Sequence, residues 1–388
     1  MTDRIKILLL VLMGSISMMG QTSDSIKVSL ITCYPGSDVY ELYGHTELRV
    51  QDGMDDNLFN YGMFNFNAPN FIYRFVKGET DYMLVAVDPI YLYRGYESRK
   101  MVEQVLNLTQ AEAKKVRDFL YENALPQNAT YRYNYVYNNC STKPRDIIEK
   151  SVGSLYYPTM PDTLTFRQEM AKYNKNYPWQ QFGIDLALGS GLDKTLTYRE
   201  QMFVPMVLMN AFAGATIERD GKRVPLVKET VVINPGSDEG DIMPPTPWWR
   251  APLAVSILVF LIISALTYRD IRRKKVTRWI DSMFYAIYGI GGCVIFFLLL
   301  FSTHEATSPN VNGWWLNPFC FIPAVLIWIK NAKKVLFCYH NVNFAIAIVL
   351  LMPFSGIANV AFYPLIASSA LRSFNYIYIY LNAKKKAN

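Results

Sequence analysis

Two uninterrupted apolar runs, Ala251–Tyr268 and Met283–Ser302, constrain this chain more than any other feature. Each is close to the roughly 20 residues a helix needs to cross a hydrocarbon core. Inside lipid the backbone must satisfy its own polar groups, so the C-terminal third reads as an all-α membrane bundle. Three weaker runs follow: Trp315–Ile329, which is short, Val335–Phe354, and Ile357–Leu381, which Arg372 interrupts. Together they predict about five transmembrane helices. The 51% hydrophobic content of the 388 residues is slightly above that of a soluble chain, and the excess lies in this region.

Charge orients the bundle. Residues 24–247 hold 23 Lys and Arg against 28 Asp and Glu, whereas residues 248–388 hold 14 against 3. The basic residues cluster at Arg269–Arg278, Lys330–Lys334 and Lys384–Lys386. The positive-inside rule places all three clusters in the cytoplasm, and five spans alternate correctly between them. The C-terminus is then cytoplasmic and residues 24–247 lie outside. Residues 1–20 agree: Arg4 and Lys6, a short apolar stretch from Ile7 to Met13, then Ser15, Ser17 and Gly20 read as a signal peptide. No cysteine stands at its cleavage site, so the protein is not itself expected to be a lipoprotein. The net charge of +7 thus reports topology rather than nucleic-acid binding. No metal-ligand spacing, phosphate loop or RNA-binding signature is visible, so no metal, cofactor or nucleic acid is expected.

The outer region, 24–247, reads as α+β, with β character first. Lys27–Thr32, Glu47–Val50 and Asn60–Phe66 are strand candidates, and Tyr34–Ser37 is a turn. Thr109 and Glu112 form a capping box opening a helix that runs to about Asn123. Asn138–Lys150 reads as a loop passing into a helix. Pro235–Ser237 and Met243–Pro247 read as linker, and Trp248-Trp249-Arg250 as an anchor at the membrane surface.

Only one of three histidines, His45, lies in this outer region, and only two cysteines, Cys33 and Cys140. A nucleophile and its base need only meet in space. Cys140 just precedes a predicted helix, whose N-terminus and an imidazolium at His45 would both stabilise a thiolate. Backbone N–H groups nearby could hold an oxyanion. Asn60 and Asn65 are the polar candidates to orient His45. The competing reading pairs Cys33 with Cys140 in a structural disulfide, natural in an oxidising compartment. Arg49, Arg145 and Asp146 read as structural ion pairs, and Cys293, Cys320 and Cys338 as small packed hydrophobes. The outward loop Thr303–Pro318 carries His304, Asn310, Asn312, Trp314 and Trp315, either as an interfacial anchor or as a platform presenting a lipid. Arg372, charged within a span, is a functional candidate.

These blocks resemble a known family. Thr32–Gly36, Tyr43–Val50, Tyr61–Phe66 and Tyr133–Asp146 resemble the Lnb N-terminal periplasmic domain, and His304–Asn310 with Trp314–Pro318 resemble its companion membrane domain. The resemblance implies a bacterial lipoprotein N-acyltransferase whose outer domain is similar to a circularly permuted papain-like (NlpC/P60) fold. It implies Cys140 as the acyl-accepting nucleophile and His45 as its base. Asn139, Asn65, Arg49 and Cys33 are supporting candidates. The implied donor is a membrane phospholipid and the acceptor a diacylated lipoprotein, both in the inner membrane. Two alternatives stay open: a membrane-tethered cysteine peptidase or amidase acting on cell wall, and a non-enzymatic membrane scaffold.

Overall fold

The structure, a computed structural model, describes residues 25–160, 163–237 and 240–387. The signal-peptide reading of residues 1–20 lies outside the described residues.

Strands β1 (Lys27–Cys33), β2 (His45–Asp52), β3 (Asp55–Met63), β4 (Asp81–Val87), β5 (Met101–Leu106), β6 (Thr130–Arg132) and, much later, β10 (Val227–Asn234) form one antiparallel sheet. Its order is β10-β5-β1-β2-β3-β4-β6. Short strands β7 (Leu155–Tyr156), β8 (Thr216–Arg219) and β9 (Lys222–Pro225) form a second sheet. Side chains alternate along a strand. On β2 this sends Leu48 and Val50 into the main core, with Leu30, Phe59 and Tyr61 beside them. His45, Glu47 and Arg49 point to the opposite face.

Four short helices precede the linker and matter for the site: α1 (Phe71–Lys77), α2 (Pro89–Gly95), α3 (Gln110–Asn123) and α4 (Thr142–Ser151). The predicted capping box at Thr109 and Glu112 is present, with Thr109 Oγ1 accepting from Glu112 N–H and Glu112 accepting in return. Helix α3 buries Ala113, Val116 and Leu120, one stripe at helical spacing. With Ile147 and Ile148 of α4 these close the main core. Each such side chain contributes roughly 1.5–3 kcal/mol on burial if a full leucine-sized group leaves water. The opposite face is covered more thinly, by Leu92 of α2 over Ile31, Cys33, Leu58 and Met101.

Helix α6 (Pro205–Gly214) adds Leu208, Ala211 and Phe212 to the main core, and the chain after Trp248 is mostly helical. Helices α7 (Pro252–Arg273) and α8 (Arg278–Phe301), and the stretch Lys330–Leu350 that contains α10 (Lys333–Leu350), are long and apolar enough to cross a membrane. Two expected spans differ from that form. The run Trp315–Ile329 yields only the six-residue helix α9 (Phe321–Leu326), because Pro318 and Pro323 remove donors from any longer ladder. The last run becomes α11 (Phe362–Ala387), long enough but carrying the buried Arg372. Above α9 the chain enters the bundle as irregular backbone. Gly292, midway along α8, lies so close to Asn317 that an added Cβ would sit 2.3 Å from its carbonyl carbon. Lower down, Ser282 Oγ donates to the Ala324 carbonyl at 2.6 Å and accepts from Trp328 Nε1 at 3.2 Å. Non-helical backbone at this depth is tolerated because protein surrounds it. Of the three cysteines read as packed, Cys320 is buried, whereas Cys293 and Cys338 face outward from the bundle; helices this apolar carry side chains on their outer surface too.

Two helices of the outer region, α1 and the later α5 (Pro178–Ala187), dock on the bundle. Helix α5 sets Phe182 against Phe362 at 4.9 Å between ring centroids, and its Asp185 accepts from Asn359 at 2.8 Å. Helix α1 meets the end of α8, with Tyr73 5.8 Å from Phe297.

Candidate active site

Helix α4 brings Cys140 to the sheet. Asn139 builds the turn before that helix: its Oδ1 accepts from the N–H groups of Ser141 and Thr142, both at 2.9 Å. Its Nδ2 donates to the Tyr135 and Phe203 carbonyls at 2.8 Å. Ser141 Oγ anchors the same turn to the Met202 carbonyl at 2.7 Å. Orphan donors at the helix start are thereby satisfied, and Cys140 is held in one place.

His45 opens β2, paired across to Cys33 at the end of β1. Between His45 and Cys140 stands Gly62, at an irregularity where β3 slips against β4. Its φ of 126° disfavours any side chain, and an added Cβ would lie 3.6 Å from His45 Cε1 and 3.7 Å from Cys140 Cβ. The missing side chain is what lets the imidazole and the thiol approach one another across Gly62.

His45 is oriented from behind. Its Nε2 lies 3.0 Å from Asn60 Oδ1, and Asn60 Nδ2 donates to Glu47 Oε1 at 2.8 Å. The Asn60 amide is thus fixed with its oxygen toward His45, so Nε2 carries the proton and Nδ1 is left to exchange one with Cys140. Glu47 Oε1 is itself 3.5 Å from Nε2, and the carboxylate is buried. Burial alone would lower the His45 pKa. Tyr96, Cys140 and Glu47 outweigh it and hold that pKa well above 6.5. The folded protein therefore binds this proton more tightly than the unfolded chain. The resulting stability is complete below about pH 6.5 and is lost as pH rises through the folded value. Glu47→Gln should move the pH at which His45 deprotonates down by about one unit, read by NMR or by the pH dependence of Cys140 alkylation. An unchanged value would mean that Tyr96 and Cys140 set it alone.

The pair faces a cleft of about 240 Å3 with two unlike walls. One is aromatic, formed by Met63, Phe64, Tyr82 and Tyr133. The other holds Tyr96, Glu41 and Arg99, the Arg99 guanidinium lying 4.5 Å over the Tyr96 ring and 3.0 Å from Glu41.

The remaining sequence candidates are distributed as follows. Cys33 and Cys140 are both free thiols. Cys33 is fully buried, and burial followed by the charge of Glu47 pushes its pKa up to about 12. Asn65 is not brought to His45; it is exposed in the turn after β3, accepting from Asn67 N–H at 2.9 Å. Arg49 forms ion pairs with Asp56 at 2.6 Å and Glu103 at 3.1 Å, and Arg145 with Asp146 at 2.8 Å. His304 Nε2 meets the Phe75 carbonyl at 2.9 Å. Asn310 and Asn312 donate to carbonyls of α5, and Trp315 Nε1 donates to Asn312 Oδ1 at 3.0 Å. His304, Asn310 and Asn312 thus join the outer region to the bundle, and Trp315 braces Asn312 from within it. Arg372 lies elsewhere, among α7, α8 and α11, bonded to Asp281 at 2.5 Å, Asp270 at 2.9 Å and Thr267 at 3.0 Å. Sequence reasoning missed Glu47, Arg99 and the tyrosines of the cleft. Glu47 was accessible, because strand alternation puts it on the His45 face two residues on.

Comparison with known families matches residues 20–169 to the Lnb N-terminal periplasmic domain and residues 245–385 to the Lnb transmembrane domain. Comparisons with curated proteins and with solved structures yield no match. The first match contains both His45 and Cys140, and the second contains the helical bundle on which their sheet is docked. Two matched domains in this order, with the Cys–His cleft in one and apolar helices in the other, make the chain a member of the Lnb family, a membrane protein with a periplasmic N-terminal domain.

Proposed function

We propose that this protein is a lipoprotein N-acyltransferase that works through a thioester on Cys140. The observation that carries the reading is the free Cys140 thiol facing His45 across Gly62, with the His45 pKa held up, in a cleft whose domain is docked on a membrane bundle. The Cys140 thiolate attacks the ester carbonyl of a membrane phospholipid. The ester C–O bond breaks, the leaving alkoxide takes the His45 proton, and a lysophospholipid departs. The α-amine of a diacylated lipoprotein's N-terminal cysteine then attacks the thioester. His45 takes its proton, the C–S bond breaks, and the amide product leaves the thiolate–imidazolium pair restored. At the turn before α4 the Ser141 and Thr142 N–H groups are taken by Asn139, so the backbone donor proposed for the oxyanion is the Cys140 N–H.

Several features support a circularly permuted papain-like arrangement: histidine before cysteine in the chain, histidine on an antiparallel sheet, and cysteine at a helix start packed against that sheet. The basic clusters support five passes in a bacterial inner membrane with a cytoplasmic C-terminus. In that path the third pass is the irregular stretch at Asn317 followed by α9, and residues 1–20 are a signal peptide ahead of a periplasmic region, 24–247, and a transmembrane region, 248–388.

The direct test supplies phospholipid vesicles to the purified protein without acceptor. Intact-mass analysis should find an acyl adduct on Cys140 that neutral hydroxylamine removes. Turnover without such an adduct, or an adduct at another residue, would overturn the mechanism.

A further inference from the structure

The aromatic wall of the cleft does not end at the cleft. Tyr133 stacks on Tyr82 with centroids 3.9 Å apart, and Tyr82 meets Phe64 at 4.8 Å. Phe64 meets Phe66 at 4.5 Å and Phe71 at 5.6 Å, and Phe71 lies 6.3 Å from Phe75. The far end of this ladder is α1, whose Tyr73 touches Phe297 of α8. Rings therefore run from the cleft at Cys140 to Phe75 of α1, which meets His304 just beyond the end of α8 at 6.3 Å.

Helix α1 has the sequence Phe-Ile-Tyr-Arg-Phe-Val-Lys, and none of its residues is buried. Ile72 is 76% exposed, Phe66 just before it 63%, and Tyr73, Phe75 and Met63 are exposed as well. A helix this short, with no buried face, has little stability of its own in water. The bundle supplies it. The Phe75 carbonyl accepts from His304 Nε2, the Val76 carbonyl from Ser302 Oγ, and the Lys77 carbonyl from Thr303 N–H at 2.8 Å. Those donors follow directly on Phe301, the last residue of α8. Helix α1 is thus fixed at the height where hydrocarbon gives way to headgroups. Its apolar surface is also continuous with that of α8, which exposes Val294, Leu300 and Phe301. Contiguous exposed apolar surface in that position takes lipid. Its two cations are already paired, Arg74 with Asp81 and Lys77 with Glu79, so contact rests on the apolar face.

We propose that the segment Phe64–Phe75 is a lipid-entry ramp. The exposed face of α1, with Phe66, receives the acyl chain of an outer-leaflet phospholipid, and the ladder Phe71, Phe64, Tyr82, Tyr133 carries that chain to Cys140. The opposite wall, with Arg99 and Glu41, takes the polar end. The ramp rests on the reading of Cys140 as the acyl acceptor.

The test uses the full-length Cys140→Ala protein in nanodiscs of phosphatidylethanolamine and phosphatidylglycerol, doped with a phosphatidylethanolamine bearing a diazirine in its tail. After irradiation, adducts should map to Phe64–Phe75 as well as to the spans. Phe66→Ser with Ile72→Asp should lower the ramp adducts several-fold and leave those on the spans unchanged, which also reports that the protein is folded. Adducts confined to the spans, or a ramp yield unmoved by the double variant, would overturn the ramp. The Cys140→Ala background carries no chemistry, so these outcomes are separate from the thioester's. Ramp adducts without a hydroxylamine-labile acyl group on the wild type would keep the ramp and remove the acyltransferase.

Discussion

Cys140→Ser should reduce N-acylation by roughly a thousandfold or more, the scale seen when a covalent nucleophile is removed. The residual hydroxyl occupies nearly the same space, but it is far less acidic than a thiol and His45 cannot hold it as an anion. The fold should survive. The turn is built by Asn139 and Ser141 rather than by the Cys140 side chain, and Cys140 is only partly covered. Cys33 cannot substitute, since it is fully buried and its thiol stays protonated with a pKa near 12. The measurement is mass spectrometry of lipoprotein N-termini in a strain whose other N-acyltransferases are deleted. Diacylated or free-amine termini are expected for Cys140→Ser. Persistently triacylated termini would exclude Cys140 as the acyl carrier.

The second large effect is on stability. Arg372→Leu leaves Asp281 buried without its cation and Asp270 with only Arg269 at 3.8 Å, in a place where neither carboxylate can reach water. Removing one partner of a buried pair costs about 3–5 kcal/mol. Here the single guanidinium ties three helices together, so the loss should appear as a lower unfolding midpoint in detergent and poorer membrane accumulation. Neutralising the partners as well, with Asp270→Asn and Asp281→Leu in the same chain, should recover most of that loss. A single variant as stable as the wild type would show that the carboxylates have another source of compensation. Arg372 sits near Arg269, Thr277 and the basic clusters, at the end of the bundle opposite α1. Its sequence prominence therefore reflects assembly of the helices.

Much of this was legible in the chain. The apolar runs at α7 and α8 needed no tertiary information, because lipid permits few alternatives to a helix. The capping box at Thr109 and the strand from Lys27 are local signals and stand at the expected residues, whereas the strand expected over Glu47–Val50 extends from His45 to Asp52. Strands β4, β5 and β10 were not, since each is defined by partners far away in the chain: β10 pairs with β5 across more than a hundred residues. At the site, scarcity singles out His45 and Cys140. Of the two residues expected to orient His45, Asn60 does so and Asn65 does not, and Glu47 carries no local signal of its bond to Asn60. Asn65 lies beyond the end of β3, and only the register of β2 against β3 reveals that Asn60 stands opposite Glu47. The Thr303–Pro318 loop was read by its aromatic and amide content. What decides its use is the set of carbonyls on α1 and α5 that it meets, which no local pattern encodes.

The carbonyls of α1 that accept from Ser302, Thr303 and His304 have one more consequence. They fix the cleft rigidly to the bundle, so Cys140 hangs at a set height above the lipid and cannot swing on a tether. Such an arrangement acts as a ruler. On the acyltransferase reading proposed above, a substrate would be accepted when the distance from its membrane anchor to its reacting atom matches that height. Such discrimination by reach would require no recognition of the protein sequence that follows the anchor.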